Sequence, residues 1–471
     1  MAKHPDKYAA ILVGGGPAGI AVLLSAHRDG MLTDLLQQGL LLVERSATLG
    51  SGHIGEYAIN SDSDGVTFLD ALRAAQEPVL QRILDTPVAS RMASAAAGSV
   101  PLQDVGELMV LIGDAMRALI QQHPQSRVLT RCTADFARAC QGDLWEVNVT
   151  SATGEVLRFQ TPRLVLATGA RQPIERLAEE RVAGKRVRQR WGNRLRQSGE
   201  VLGRQGLQQV ADLLQGKHNP RVAILGGSTS AMAVAHALLH RLPRVSFSNS
   251  GITVFHRKPL RLYYASEAEA IQDGYTDFGA NDFCPVTNRL YRFAGLRLDS
   301  RELLMQVLRV GGQPPEPRVT LHQIEGHDTE AIRRIDKADL VVAAFGYRPN
   351  ALRLLDQTGR PVPLLAHTGP SASLVDDRCR VLKADGTPLP GVYGIGLAAG
   401  YRPSGRFGGE PSFCGQVNGL WLWQNGIGSI IAKALLTSRP ALPASADTAK
   451  QIVELPALAR GPVRIPAMGA A

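Results

Sequence analysis

The strongest constraint on the fold is a glycine turn set between an apolar strand and a helix near the start of the chain. Residues 8–13 read YAAILV, an unbroken apolar run of the kind a strand buried on both faces of a parallel sheet requires. Gly14-Gly15-Gly16-Pro17-Ala18-Gly19 follows, and then the helical pattern IAVLLSAHR. In such a turn Gly14 permits the tight bend, and Gly16 lets a pyrophosphate approach the backbone. Gly19 lets the helix pack closely on the strand. Pro17 and Ala18 open the helix, whose unpaired N–H groups and positive dipole end favour an anion. A second strand, 40–43, ends in Glu44-Arg45, where a carboxylate can accept hydrogen bonds from both hydroxyls of an adenosine ribose. Strand, turn, helix, strand and acid in this order are far more specific than the glycines alone.

The chain then repeats the pattern. Residues 221–225 read as a strand, followed by Gly226-Gly227-Ser228-Thr229-Ser230-Ala231 and the helix AMAVAHALLHRL. Ser228 replaces the second glycine and brings a hydroxyl that can bond phosphate. The next strand, 251–255, ends in His256-Arg257-Lys258. Cations in place of an acid suit the 2′-phosphate of NADPH rather than NADH. Two fingerprints about 210 residues apart predict an α/β chain of two doubly wound, Rossmann-like domains, one inserted into the other.

The variant G-G-G-P-A-G so near the start resembles the FAD-binding turn of the two-dinucleotide-binding flavoprotein superfamily. In that superfamily a stretch such as RLVLATG (163–169) marks the return of the chain toward the nicotinamide domain. Residues 339–347, DLVVAAFGY, resemble the D-x-x-x-[LF]-A-T-G-Y stretch of flavin-dependent N-hydroxylating and related NADPH monooxygenases. Asp339, Ala344, Gly346 and Tyr347 match; Ala343 and Phe345 depart. GVYGIG (391–396) is similar to the strand that delivers the last FAD contact. Most reductases of the superfamily carry Asp next, and N-hydroxylating monooxygenases tend to lack it; here Leu397 follows Gly396. A helix beginning near Gly415 would face the flavin pyrimidine edge, with Gly408–Phe413 as a flavin-contacting loop. The resemblance spans roughly residues 8–436. It implies FAD held by Gly14, Gly16, Pro17, Ala18, Gly19, Glu44, Arg45, Gly396 and Leu397. NADPH would be held by Gly226, Ser228, Thr229, Ser230, Ala231, Arg257, Lys258, Gly346 and Tyr347.

The expected organisation is an FAD domain in two parts, 1–170 and 348–437, around a nicotinamide domain at 218–347. Residues 171–217 read as a basic, mainly helical connector, and 438–471 as a tail rich in Ala and Pro. Between positions 51 and 120, GHIGEYAINSDS precedes two helix-like stretches, TFLDALRAA and ELMVLIGDAMRALI. Insertions at this place in the superfamily shape the substrate site.

Few fates are open to a reduced flavin. The five cysteines include no C-x-x-C, so a disulfide reductase is not expected. They read as reduced thiols of a cytoplasmic protein, since the first residues lack the shape of a secretory leader. No run of 18 apolar residues occurs, so no membrane span is expected. The net charge of +10 comes without a nucleic-acid-reading motif, and no metal site is read. What the resemblance implies is a monooxygenase acting on a small molecule with O₂ through a flavin C4a-hydroperoxide, amine or amino-acid N-hydroxylation in particular. An NAD(P)H-dependent reductase of a quinone, small molecule or carrier protein stays open, as does a regulatory flavoprotein. A homo-oligomer is compatible with all three. The connector holds no histidine, which sets the chain apart from Baeyer–Villiger enzymes with F-x-G-x-x-x-H in that place. No conventional catalytic dyad is evident; Asn288 and Arg289, within 262–300, are the candidates for contact with nicotinamide or substrate.

Overall fold

The computed structural model describes residues 6–95, 98–369 and 372–436; the tail expected from 438 onward lies outside the described residues. In chain order, the elements that position the site begin with β1 (Ala10–Val13), α1 (Pro17–Arg28), β2 (Leu40–Val43), α2 (Leu102–Gln121), β3 (Arg127–Leu129) and β4 (Leu164–Leu166). There follow β5 (Leu195–Gln197), β6 (Val222–Leu225), α3 (Thr229–His240), β7 (Ile252–His256) and α4 (Leu298–Leu308). The last are β8 (Val319–Gln323), β9 (Leu340–Ala343), β10 (Arg380–Leu382), β11 (Pro388–Gly394) and α5 (Gly428–Leu436).

Six strands form the first sheet in the order β10-β11-β4-β1-β2-β3, parallel except for the β10–β11 pair. The apolar runs of β1 and β2 are buried throughout, because helices and loops cover both faces of the sheet. Each fully buried Leu or Ile there contributes about 1.5–3 kcal/mol, so the turn after β1 hangs from the best-packed part of the molecule. Helix α5 packs along α1, which brings the end of the chain's described part back onto its beginning. An antiparallel layer made by Cys132–Ala139, Trp145–Ser151 and Val156–Thr161 enters between β3 and β4 in sequence.

The second sheet is wholly parallel, in the order β5-β9-β6-β7-β8. Between the sheets the chain crosses twice, and the crossings lie side by side: Ala170 and Arg171 pair antiparallel with Pro349 and Arg348. The fold is thus doubly wound α/β with a second Rossmann-like sheet inserted into the first.

One expectation needs correction. The segment 171–217 is not only a helical connector, because its residues 195–197 form the edge strand β5 of the second sheet. Three residues are too few for any alternation to show in sequence. Its basic run also has structural work: Arg190 and Trp191 both bond the Asp336 carboxylate, and Arg194 donates to the Asp336 and Ala338 carbonyls. These contacts tie the segment to the turn that leads into β9.

Candidate functional site

The two fingerprint turns share the close approach of their first glycine to a neighbouring strand. Gly14 takes φ +103° and an added Cβ would lie 2.3 Å from the Ala167 carbonyl oxygen, just past β4. Gly226 takes φ +138° and its Cβ would lie 2.3 Å from the Ala344 carbonyl oxygen, just past β9. In each half, then, the Ala-x-Gly segment of a neighbouring strand presses on the first glycine. Gly19 packs its helix so tightly that a Cβ would meet the Gly14 carbonyl oxygen at 2.0 Å.

Gly16 is different. Its Cβ would meet nothing nearer than the Gly52 Cα at 3.6 Å, so it borders open space rather than protein. It caps α1 with no side chain on the first N–H groups, Pro17 at the first positions and no acid in the first turn. Helix α3 starts in the same way: its cap residue Ser228 leaves the helical N–H groups to other acceptors, and again no acid is near. Both helix starts therefore present unpaired donors to a phosphate without a competing carboxylate. The Glu44 carboxylate, nearly buried, accepts from the Gly15 and Ser46 N–H groups, each at 2.7 Å. Each oxygen keeps a lone pair for a ribose hydroxyl, so the residues present fit an adenine dinucleotide. Arg45 turns toward His53 at 2.7 Å.

A cleft of about 1910 Å³ runs from the second turn to the region around Gly415. Its walls include Ser228, Thr229, Ser230, Lys258, Gly346, Tyr347 and Leu397. Burial, with Tyr57 beside it at 3.3 Å, pushes the Tyr347 hydroxyl up in pKa, so it stays a neutral donor. The paired candidates part company here. Lys258 faces the cleft, whereas Arg257 bends back to donate to the Arg181 carbonyl at 2.8 Å and is 67% exposed. Arg289 lines the cleft, but Asn288 does not. Asn288 is exposed at φ +53°, a left-handed turn position that asparagine tolerates, and its N–H bonds the Cys284 carbonyl. The helix expected near Gly415 begins only at Leu420, after the cap Gly419, and continues through a π-helical turn, Trp423–Ile427. The intervening residues instead supply Asn418, whose Oδ1 accepts from the Ala398 N–H at 2.9 Å next to Leu397.

Sequence reasoning missed a latch across this cleft. Glu410, 3% exposed, accepts from the Phe293 N–H at 2.9 Å and the Ala294 N–H at 2.7 Å. Nearby, Arg292 donates to the Phe407 carbonyl, and the Gly409 N–H points at the Cys284 sulfur. Burial raises the Cys284 thiol, but hydrogen bonds from Thr287, Arg292 and Gly409 outweigh it and bring it down to about 6. The loop 402–413 and the segment 284–297 are thereby locked together. The signal in sequence was only the charged residue within Gly408–Phe413.

No family model matches the chain. It is 33% identical over 438 residues to CMP-5′-(3-aminopropyl)phosphonate hydroxylase from Streptomyces rubellomurinus, which covers 92% of this chain and 98% of that relative. The chain belongs to the same monooxygenase family as this hydroxylase. Its fold is shared with the FAD-bound cadaverine monooxygenase of desferrioxamine biosynthesis from Erwinia amylovora (14% identity, TM-score 0.52, 96% and 99% of the two chains). Ornithine hydroxylase from Pseudomonas aeruginosa is equally similar (15%, TM-score 0.53, 91% and 98%). So is L-lysine 6-monooxygenase from Pseudomonas syringae (17%, TM-score 0.52, 92% and 99%). Like the Streptomyces rubellomurinus relative, the chain is an oxidoreductase of the hydroxylase kind. All five of its cysteines are free thiols, and among the described residues no helix is long and apolar enough to cross a membrane.

The different placement of Arg257 and Lys258 has a measurable consequence. Lys258→Ala is expected to weaken NADPH by about 1–3 kcal/mol while leaving NADH little changed. Arg257→Ala should do much less, as its guanidinium already has a backbone partner. Steady-state KM values for both nucleotides check this; equal losses for NADPH and NADH in the Lys258 variant would remove it from the phosphate site.

Proposed function

We propose that this monooxygenase N-hydroxylates the primary amino group of a small anionic amine, of the aminoalkylphosphonate type carried on a cytidine nucleotide. The observation that carries this reading is the end-to-end similarity to a hydroxylase whose name states such a substrate. The cleft is consistent with it. Lys258, Arg289 and Arg297 all line it, and among the described residues none of the three has an ion-pair partner. Lys258 stands beside the second turn and suits NADPH; Arg289 and Arg297 are left for the anionic part of the substrate.

In this reading Gly14, Gly16, Glu44 and the start of α1 hold FAD, and Ser228–Ala231 with Lys258 hold NADPH. Held there, the flavin would supply the redox chemistry between NADPH and O₂. The chain's own part is to hold the amine beside the flavin, to orient it through charges on the cleft wall, and to exclude water. The Glu410 latch closes the wall that carries Arg289 and Arg297. A cytoplasmic setting belongs to the same reading and is supported by the five unpaired thiols.

The test is direct. The purified holoenzyme is incubated with NADPH, air and either 3-aminopropylphosphonate or its CMP ester, and the products are weighed by mass spectrometry. A hydroxylamine one oxygen heavier than the substrate is expected, formed faster from the CMP ester. NADPH consumption with both amines recovered unchanged would contradict the proposal.

A further inference from the structure

Among the described residues, two carboxylates of the cleft wall have no side-chain partner, Asp62 and, on α4, the exposed Glu302. Asp62 lies mid-strand in Asn60–Asp64, a segment paired with Ser99–Pro101, and lines the cleft. It is open to the cleft yet densely surrounded by protein on its other sides. No hydrogen bond or ion pair engages its side chain among the described residues.

Its neighbours show that this is not for want of polar groups. Asp299, at the start of α4, has a partner on each oxygen: it accepts from Ser99 Oγ at 2.6 Å and Asn60 Nδ2 at 2.9 Å, with His236 Nδ1 at 3.9 Å. Arg297 also faces Asp62, but not within ion-pair distance. Its guanidinium lies 3.7 Å from the Tyr263 ring centroid and donates to the Arg292 carbonyl at 2.7 Å. His236 of α3, and Arg241 just after it, reach Asp62 only through Asp299 and Asn60. A carboxylate so placed feels the repulsion of Asp299, and a cation arriving from the cleft relieves it. A single free carboxylate suits an ammonium group with its three donors.

We propose that Asp62 receives the amino group of the substrate and makes the cleft select amines over their uncharged counterparts, an assignment that rests on the amine-hydroxylating reading above. Asp62 and Arg297 then form two poles of opposite charge, near each other but not joined, for a short molecule with an amine at one end and an anion at the other. Burial, with Asp299 adding and Arg297 opposing, raises the Asp62 carboxyl to about 7. It is half ionised near pH 7, so amine binding strengthens as pH rises through that range and weakens as pH falls below it.

The experiment compares binding of two probes to the oxidised holoenzyme by calorimetry: the CMP ester of 3-aminopropylphosphonate and the CMP ester of propylphosphonate. The wild-type protein is expected to prefer the amine by roughly 10- to 100-fold at pH 8, with the preference shrinking on the acid side. Asp62→Asn should erase both the preference and its pH dependence, and Asp62→Glu should restore part of the preference. Flavin content and the unfolding midpoint report that each variant is folded. An Asn variant that keeps the amine preference overturns the role of Asp62 and leaves the hydroxylase reading standing. A wild-type protein with no preference for the amine overturns both.

Discussion

Gly16→Val is expected to give a folded protein that purifies without flavin. The valine side chain has room, because the nearest protein atom to its Cβ is the Gly52 Cα at 3.6 Å. That room is where a pyrophosphate must come to reach the N–H groups at the start of α1. Gly14→Val should fail in another way. At φ +103° a β-branched residue is strained, and its Cβ would lie 2.3 Å from a backbone oxygen, so the loss is about 3 kcal/mol or more in stability. Flavin absorbance and thermal unfolding of the two variants separate the cases. A Gly16 variant that stays fully yellow would refute the assignment of the first turn.

Glu410→Ala is expected to destabilise the protein and loosen the cleft wall. It leaves the Phe293 and Ala294 N–H groups without their carboxylate acceptor in a part-buried contact, at a cost of about 1–3 kcal/mol. Glu410→Gln retains one acceptor oxygen and should lose about half as much. Because the latch holds the segment that carries Arg289 and Arg297, KM for substrate and nucleotide should rise before kcat falls. Denaturant midpoints for both variants, set beside their kinetics, test this. A midpoint for the alanine variant equal to wild type would show that the latch does not hold.

The parts legible from sequence were those where one local stretch performs a whole physical task. The apolar run, glycine turn and helix after Ala10, the acid at Glu44, and their repetition around Gly226 each declare themselves within a few residues. Leu397 was readable too, since it follows directly from the strand that ends at Gly394. What escaped depends on groups far apart in the chain. The three residues of β5 are a strand only because β9 lies beside them. Glu410 and Phe293 are separated by more than a hundred positions, and Asn418 gains its role by bonding Ala398. Asp62 lay within the quoted GHIGEYAINSDS stretch, but only the structure shows that Asp299 has partners and Asp62 has none. Asn288 stood out for its residue type, which its left-handed backbone accounts for.

The central claim is that oxygen from O₂ ends on the nitrogen of a small amine. The most direct measurement is turnover of the CMP ester of 3-aminopropylphosphonate with NADPH under ¹⁸O₂, followed by mass spectrometry of the product. The account predicts a hydroxylamine carrying one ¹⁸O atom. Oxidation of NADPH with unlabelled, unmodified amine and hydrogen peroxide as the only oxygen product would contradict it.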